Sequence, residues 1–219
     1  RRAAREPLQH LTGVAAFRHL ELAVGPGVFV PRPETETVVQ FAIDALTASA
    51  EHSPIAVDLG TGSGAIAMAM ATEVPHSRVF AVELSPQAHA WASKNTAAAD
   101  NLTLVHGDLA TAFDELTGSV AVVISNPPYV PDDAIPRDPE VRLHDPAQAL
   151  YGGSDGLDIV RIISRRAQEL LRPGGLVVIE HGEAQGADIR GILSADGWRV
   201  PATHQDLTRR DRATTALRS

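Results

Sequence analysis

The chain has 219 residues, 44% of them apolar and 21% charged, enough for one α/β domain with a sizeable core. Its formal charge of −8 argues against a protein that grips long nucleic acid non-specifically, because phosphate neutralisation needs clustered Lys and Arg. The absence of cysteine excludes a disulfide framework and thiolate metal sites, and the nine histidines show no H-x-H or H-E-x-x-H spacing, so no metal is expected. No stretch has the length of a membrane span or the form of a signal peptide, and the composition predicts a soluble, cytoplasmic protein. The basic residues cluster at the two ends (Arg1, Arg2, Arg5; Arg209, Arg210, Arg212, Arg218) and read as solvated termini.

In chain order, "FRHLELAV", "GPG" and "VFV" predict a two-stranded hairpin about a Gly/Pro turn. The helix that follows starts at Pro33, with Glu34 and Glu36 at its positive end and Val38, Val39, Ala42, Ile43 and Leu46 on one face. Strands and helices then alternate: "IAVDLG", the helix "AIAMAMATE", "RVFAVEL", a helix from the cap Ser85-Pro86 to about Ala99, "LTLVH" and "VAVVIS". Residues 131–150 read as an irregular insertion. An amphipathic helix over "GLDIVRIISRRAQELL" stops at Pro173-Gly174-Gly175, "LVVIEH" makes a fifth strand, and "AQGADIRGILSADG" a helix closed by Gly197. "WRVPATH" and "ATTALR" are expected to pair antiparallel at the edge of a mostly parallel sheet covered by helices on both faces.

The first signal of function is "VDLGTGSGA" between the first repeated strand and its helix. Gly60, Gly62 and Gly64 let the backbone approach a ligand without Cβ clash, at a helix N-terminus rich in unpaired N–H groups. Gly60, Gly62 and Ala65 also satisfy the dinucleotide fingerprint, with Glu83 near the position of a ribose-binding acid, so an NAD-binding oxidoreductase is one reading. Asp58 tilts the loop toward S-adenosylmethionine: a carboxylate there suits a methionine ammonium and has no partner in a pyrophosphate. Thr61 and Ser63 complete the loop, Glu83 can accept both ribose hydroxyls, and Asp108 after the third strand can take the adenine amino group.

The fourth strand ends in "SNPPYV". Asn126 Oδ1 and the Pro127 carbonyl can each accept one N–H of a target NH₂ group, which orients its lone pair by positioning alone. Pro127 and Pro128 restrict the carbonyl directions, and Tyr129 offers a ring face to a planar amide. "D-x-G-x-G-x-G", an acid after the next strand and "NPPY" resemble class I methyltransferases acting on planar amino or amide nitrogens. Over nearly the whole chain, "REPLQHLTG", "FVPRPETE", "EVRLHDPAQALYGGSDGLD" and "DLTRRDR" resemble the release factor glutamine methyltransferases.

The resemblance implies a Rossmann-like, mostly parallel seven-stranded sheet with an antiparallel edge, preceded by a β-hairpin. It also implies S-adenosylmethionine as cofactor, with S-adenosylhomocysteine as product, and the Gly-Gly-Gln glutamine of class I peptide-chain release factors as target. Phe29, Pro31, Arg32, Pro33, Glu34 and Thr35 would wall the methyl-transfer end, while Leu109 stands where relatives often carry a bulkier aromatic against adenine. Residues 1–33 are expected to be a linker and hairpin left from the junction to a helical N-terminal domain, and 34–219 the catalytic domain. A nucleic-acid amino methyltransferase is the nearest alternative, set back by the acidic charge and the lack of a basic stripe; no membrane and no stable nucleic-acid partner are expected.

Overall fold

The computed structural model describes residues 1–136 and 138–219, and Arg137 of the 131–150 segment lies outside the described residues. A short helix α1 (Leu8–Thr12) leads into an antiparallel hairpin, β1 (Val14–Phe17) with β2 (Leu20–Ala23). A seven-stranded sheet follows in the order β5-β4-β3-β6-β7-β9-β8. Its strands are β3 (Ile55–Leu59), β4 (Arg78–Glu83), β5 (Leu102–His106), β6 (Val120–Ser125), β7 (Leu171–Glu180), β8 (Arg199–Gln205) and β9 (Asp211–Leu217). Strands β3 to β7 pair in parallel, while β9 runs antiparallel to both β7 and β8. The expected architecture, including its antiparallel edge, is present.

Both faces of the central strands are buried, which is why they read as continuous apolar runs. Ala56, Val122 and Ile124 face α2 (Pro33–Thr47) and α3 (Ala65–Glu73), whose Val39, Leu46 and Met70 are fully buried. Val57, Leu59, Val123 and Ile179 face the other way, toward α6 (Asp158–Leu170) and α7 (Gly186–Ala195), through Ile163, Leu170, Ile189 and Leu193. The period of two along each strand thus sorts one run into two core layers. Helix α4 (Pro86–Thr96) opens on the cap Ser85, whose Oγ accepts from Ala88 N–H, and ends before Ala99. Among the described residues no helix is long and apolar enough to cross a membrane.

Three expectations need correction. The hairpin turns at Arg18 and His19, not at Gly25-Pro26-Gly27. Arg18 holds the left-handed conformation (φ 52°) and is anchored by Glu73, the Glu36 carbonyl (3.0 Å) and Gln40 (2.8 Å). Ala23 bonds the Asn95 side chain through both its N–H (2.8 Å) and its carbonyl (2.9 Å), so "VFV" finds no strand partner there. It runs instead as buried coil, and Gly25 lies so close to the Trp91 ring that a Cβ would sit 2.5 Å away. The fifth repeated strand begins at Leu171, since Pro173-Gly174-Gly175 form an irregularity within β7 rather than a break before it. The 131–150 segment contains a helix α5 (Pro139–His144) and a single 3₁₀ turn, Ala147–Ala149, and is not wholly irregular.

Candidate functional site

The strand order reverses at β3, whose neighbours β4 and β6 are reached by crossovers in opposite directions, and a ligand crevice belongs at the strand ends there. A cavity of about 810 Å³ lies at this point, within the range of small-molecule sites.

One half of it is built by backbone. Gly60, Gly62 and Gly64 all hold positive φ (80°, 59° and 85°), which L side chains rarely adopt. Gly60 and Thr61 donate their N–H groups to the Val82 carbonyl at 3.0 and 2.9 Å, folding the loop onto β4. Gly62 N–H donates to Glu83 Oε2 and Ser85 N–H to Glu83 Oε1, both at 2.8 Å. Gly60, Thr61, Gly62, Ser63, Glu83, Asp108 and Leu109 all line the cavity. Gly64 does not; it is small because a Cβ would come 3.1 Å from Thr96 of α4. Asn95, unmarked in the sequence, secures the loop by donating to the Ser63 carbonyl at 2.9 Å. Asp108 is exposed at the rim, where Oδ1 accepts from Ala110 N–H at 2.9 Å and leaves Oδ2 for another donor.

Asp58 lies beneath the loop, fully buried, and does not line the cavity. Its Oδ2 accepts from the Thr61 hydroxyl at 2.5 Å, while Oδ1 has no hydrogen-bond partner. Burial pushes its pKa up to about 7 against the opposing Thr61 hydroxyl and the Ala67 N–H at the start of α3, and the nearby Glu83 carboxylate adds to the rise. An orphaned buried carboxylate oxygen is costly unless a donor reaches it. A glycine loop, an anionic pair of side chains and that unmet acceptor fit a cofactor with a cationic end and a ribose.

The other half is assembled from distant segments. Ser125 Oγ donates to the Leu59 carbonyl at 2.5 Å and ties the end of β6 to β3. Asn126, Pro127, Pro128 and Tyr129 then enter the cavity wall. Their course is held from outside: Gln185 donates to the Tyr129 carbonyl (3.0 Å) and Val130 N–H to the Leu150 carbonyl (2.8 Å). Gly152 and Gly156 allow this approach, since a Cβ on them would lie 2.5 Å from the Pro128 oxygen and 2.3 Å from the Tyr129 oxygen. Burial pushes the Tyr129 phenol up to about 12, with Glu180 adding to the rise.

Phe29, Pro31, Arg32, Glu34 and Thr35 form the facing wall, whereas Pro33 is exposed at the first position of α2 and stays outside the cavity. Arg32 stacks 4.8 Å above the Phe29 ring and pairs with Asp145 at 2.8 Å. Asp145 is pushed up to about 6 by burial in spite of that guanidinium. The pair joins this wall to the end of α5, so the 131–150 segment closes one side of the site through Val141, Pro146 and Leu150. Among the described residues no group of three or more His, Asp or Glu is arranged to hold a metal.

Besides Asn95 and Gln185, Glu180 and Arg212 were not legible as part of this region. Glu180, at the end of β7, is 1% exposed and pushed up to about 7 by burial, opposed by Thr35, Arg212 and Asn126. Its signal was a lone acid closing the apolar run "LVVIE". Arg212 is not a solvated end residue: its side chain is 11% exposed, pairs with the buried Asp206 at 3.3 Å and faces Tyr129 and Glu180. The "DLTRRDR" segment therefore reaches the back of the site.

Residues 19–150 match the family model for the methyltransferase small domain. The release factor glutamine methyltransferase of Streptomyces coelicolor is 54% identical over the whole chain, which covers 78% of that relative. The 4-amino-L-phenylalanine/4-methylamino-L-phenylalanine methyltransferase of Streptomyces pristinaespiralis is 40% identical, again over the whole chain and 75% of the relative. Among solved structures, a methyltransferase from Pyrococcus furiosus shares the fold with a TM-score of 0.63 at 19% identity, over 93% of this chain and 91% of the other. With 54% identity along its entire length, the chain belongs to the methyltransferase small domain family and, within it, to the release factor glutamine methyltransferases.

Proposed function

We propose that the cavity binds S-adenosylmethionine and that the chain methylates the side-chain amide nitrogen of the Gly-Gly-Gln glutamine in class I peptide-chain release factors, in the cytoplasm. One observation carries this reading: a glycine loop above an unmet buried carboxylate and the Asn126–Tyr129 turn open into the same cavity. When bound, S-adenosylmethionine supplies an electrophilic methyl group on a sulfonium. Asp58, which lies beneath the loop and does not line the cavity, would accept from its ammonium through a water, and Glu83 would accept from its ribose hydroxyls. Asp108 and Leu109, which line the cavity, would flank the adenine.

An amide nitrogen is a poor nucleophile because its lone pair is delocalised into the carbonyl. Asn126 Oδ1 and the Pro127 carbonyl each accept one of its N–H groups and turn the lone pair toward the methyl. Near-attack alignment at roughly 3–3.5 Å is then the source of the rate. Tyr129 and Pro128 pack on the planar amide, and Phe29, Arg32 and Glu34 wall the approach. A Gly-Gly-Gln tip suits this entry, since two of its residues carry no side chain to obstruct it.

A second reading has one specific support, the 40% identical relative whose name gives a free aromatic amine as substrate. An aryl NH₂ presents the same two N–H donors to Asn126 and Pro127. The test is transfer of labelled methyl from S-adenosylmethionine to a release factor, its Gln→Glu variant, 4-amino-L-phenylalanine, DNA and RNA, side by side. Label on the factor alone, lost in the Glu variant, is the expected result. Label on the amino acid or on nucleic acid but not on the factor would overturn the substrate assignment.

A further inference from the structure

Asn126 can serve as an acceptor only if its amide points the right way, because the flipped form would offer NH₂ to a target that is itself a donor. The Asn126 Nδ2 group lies 3.5 Å from Thr35 Oγ1. The register of β6 on β7, with Ser125 opposite Ile179, brings Glu180 at the end of β7 beside Asn126, and Thr35 and Asn126 both act against the rise that burial gives its carboxyl. Glu180 is 1% exposed, does not line the cavity, and keeps one oxygen, Oε2, without a hydrogen-bond partner. Arg212 and Tyr129 face it from β9 and the Asn-Pro-Pro-Tyr turn, and Glu34 from α2. Nothing in the methyl-transfer scheme above uses this buried acid.

We propose that Glu180 is a positioning residue that sets the amide orientation of Asn126, partly through the Thr35 hydroxyl. In its ionised form, which Thr35, Arg212 and Asn126 favour against burial, the carboxylate only accepts. The Thr35 proton is therefore drawn to Glu180, its lone pair is turned to Asn126 Nδ2, and Asn126 Oδ1 is left facing the cavity. The same acid makes a flipped Asn126 unfavourable, since Oδ1 would then face a buried negative charge. Arg212 offsets that charge from the far side, so that the carboxylate can be held in a buried place. The inference rests on the function proposed above for Asn126, but it applies to any substrate that presents an NH₂ group.

The test is a double-mutant cycle with Asn126→Ala, read as kcat, KM and calorimetric cofactor affinity. Glu180→Leu, which removes the acceptor and keeps bulk, is expected to lower kcat about 30-fold, a fraction of what positioning can supply. Cofactor affinity should stay within about threefold, and Glu180→Gln should recover most of the rate because its Oε1 still accepts. In the Asn126→Ala background Glu180→Leu should cost nothing more, since no orientation remains to be set. A parental kcat in Glu180→Leu would overturn the proposal, as would equal losses in both backgrounds or a loss of cofactor affinity as large as the loss of rate. Should Glu180→Leu fail to fold, Thr35→Val carries the same cycle, because it removes the relay hydroxyl and keeps the shape. If the parent labels 4-amino-L-phenylalanine and not the release factor, the substrate assignment fails by itself. The cycle is then run on the amino acid, with the same outcomes deciding.

Discussion

The two halves of the cavity are built in opposite ways. The glycine-loop half comes from the ends of β3, β4 and β5, and its hydrogen bonds are largely backbone to backbone or backbone to an acid next door, as with Gly62 and Ser85 on Glu83. The Asn126 half draws on "PRPET", the 146–156 segment, the end of β7 and the Asp206–Arg212 turn, joined by side chains and by glycines that allow close approach. A binding site for one fixed ligand can be made of local backbone. A site that must orient a donor for reaction needs polar side chains whose own directions are set by others.

That contrast predicts which mutations separate binding from rate. The largest effect belongs to Asn126→Ala, which should lower kcat by about 100-fold or more, as lost positioning allows. Calorimetry should show cofactor affinity nearly unchanged. Parental turnover in this variant would break the division of labour between the halves. Glu83→Ala should do the reverse. Removing the carboxylate strips two backbone N–H groups of their acceptor and the ribose of its partner, weakening cofactor binding by about 1.5–3 kcal/mol, or about 10- to 150-fold. Equal affinity in mutant and parent would remove Glu83 from the site.

The same division explains what could be read in advance. The alternation of strands and helices, the two covered faces of the sheet and the acids at or near the strand ends were legible because each rests on a local signal: an apolar run, an acid at its end, a glycine where φ turns positive. The hairpin turn was misread because "GPG" carries a strong turn signal, while Arg18 is held in place by Glu36, Gln40 and Glu73, which the local sequence does not connect to it. Glu180, Arg212, Asn95 and Gln185 were invisible for a related reason. Their roles exist only once β7, β9 and α4 are brought beside the two loops. Even Thr35, legible as a wall residue, shows its second contact only when Asn126 and Glu180 stand on either side of it.

A third prediction tests whether the unmet Asp58 oxygen awaits a cation. Its folded pKa, about 7, is raised above the ordinary carboxylate value of 3.8. The stability this gives the ligand-free protein is complete below the unfolded pKa and is lost as pH rises through the folded one. Ligand-free Tm should therefore fall between pH 6 and pH 8. Cofactor affinity should move the other way, because the ammonium needs the ionised acid. It should rise about fivefold from pH 6 to 7, before the methionine amino group begins to lose its own proton. Asp58→Asn should flatten the affinity trend and lessen the fall in Tm, of which Glu180 and Asp145, also raised by burial, keep their share; a parental slope in both would assign them to another group.

The smallest effect sharpens the comparison most, because it concerns the most exposed of the three acids. Asp108 Oδ1 already caps the turn at Ala110, so only Oδ2 is left for an adenine amino group. Water competes for that contact at the rim, and a single exposed hydrogen bond is worth about 0.5–1.5 kcal/mol. Asp108→Asn keeps an oxygen for the Ala110 N–H but presents NH₂ where the adenine amino group must be accepted. Cofactor affinity should then drop by about three- to tenfold, with kcat at saturating cofactor unchanged. Asp108→Ala loses the turn cap as well, so its drop should be at least as large and be accompanied by a lower Tm. If Asp108→Asn binds as well as the parent while Asp108→Ala does not, the acid serves the turn and the adenine edge is read by backbone alone, which would make the glycine-loop half still more a backbone construction than proposed here.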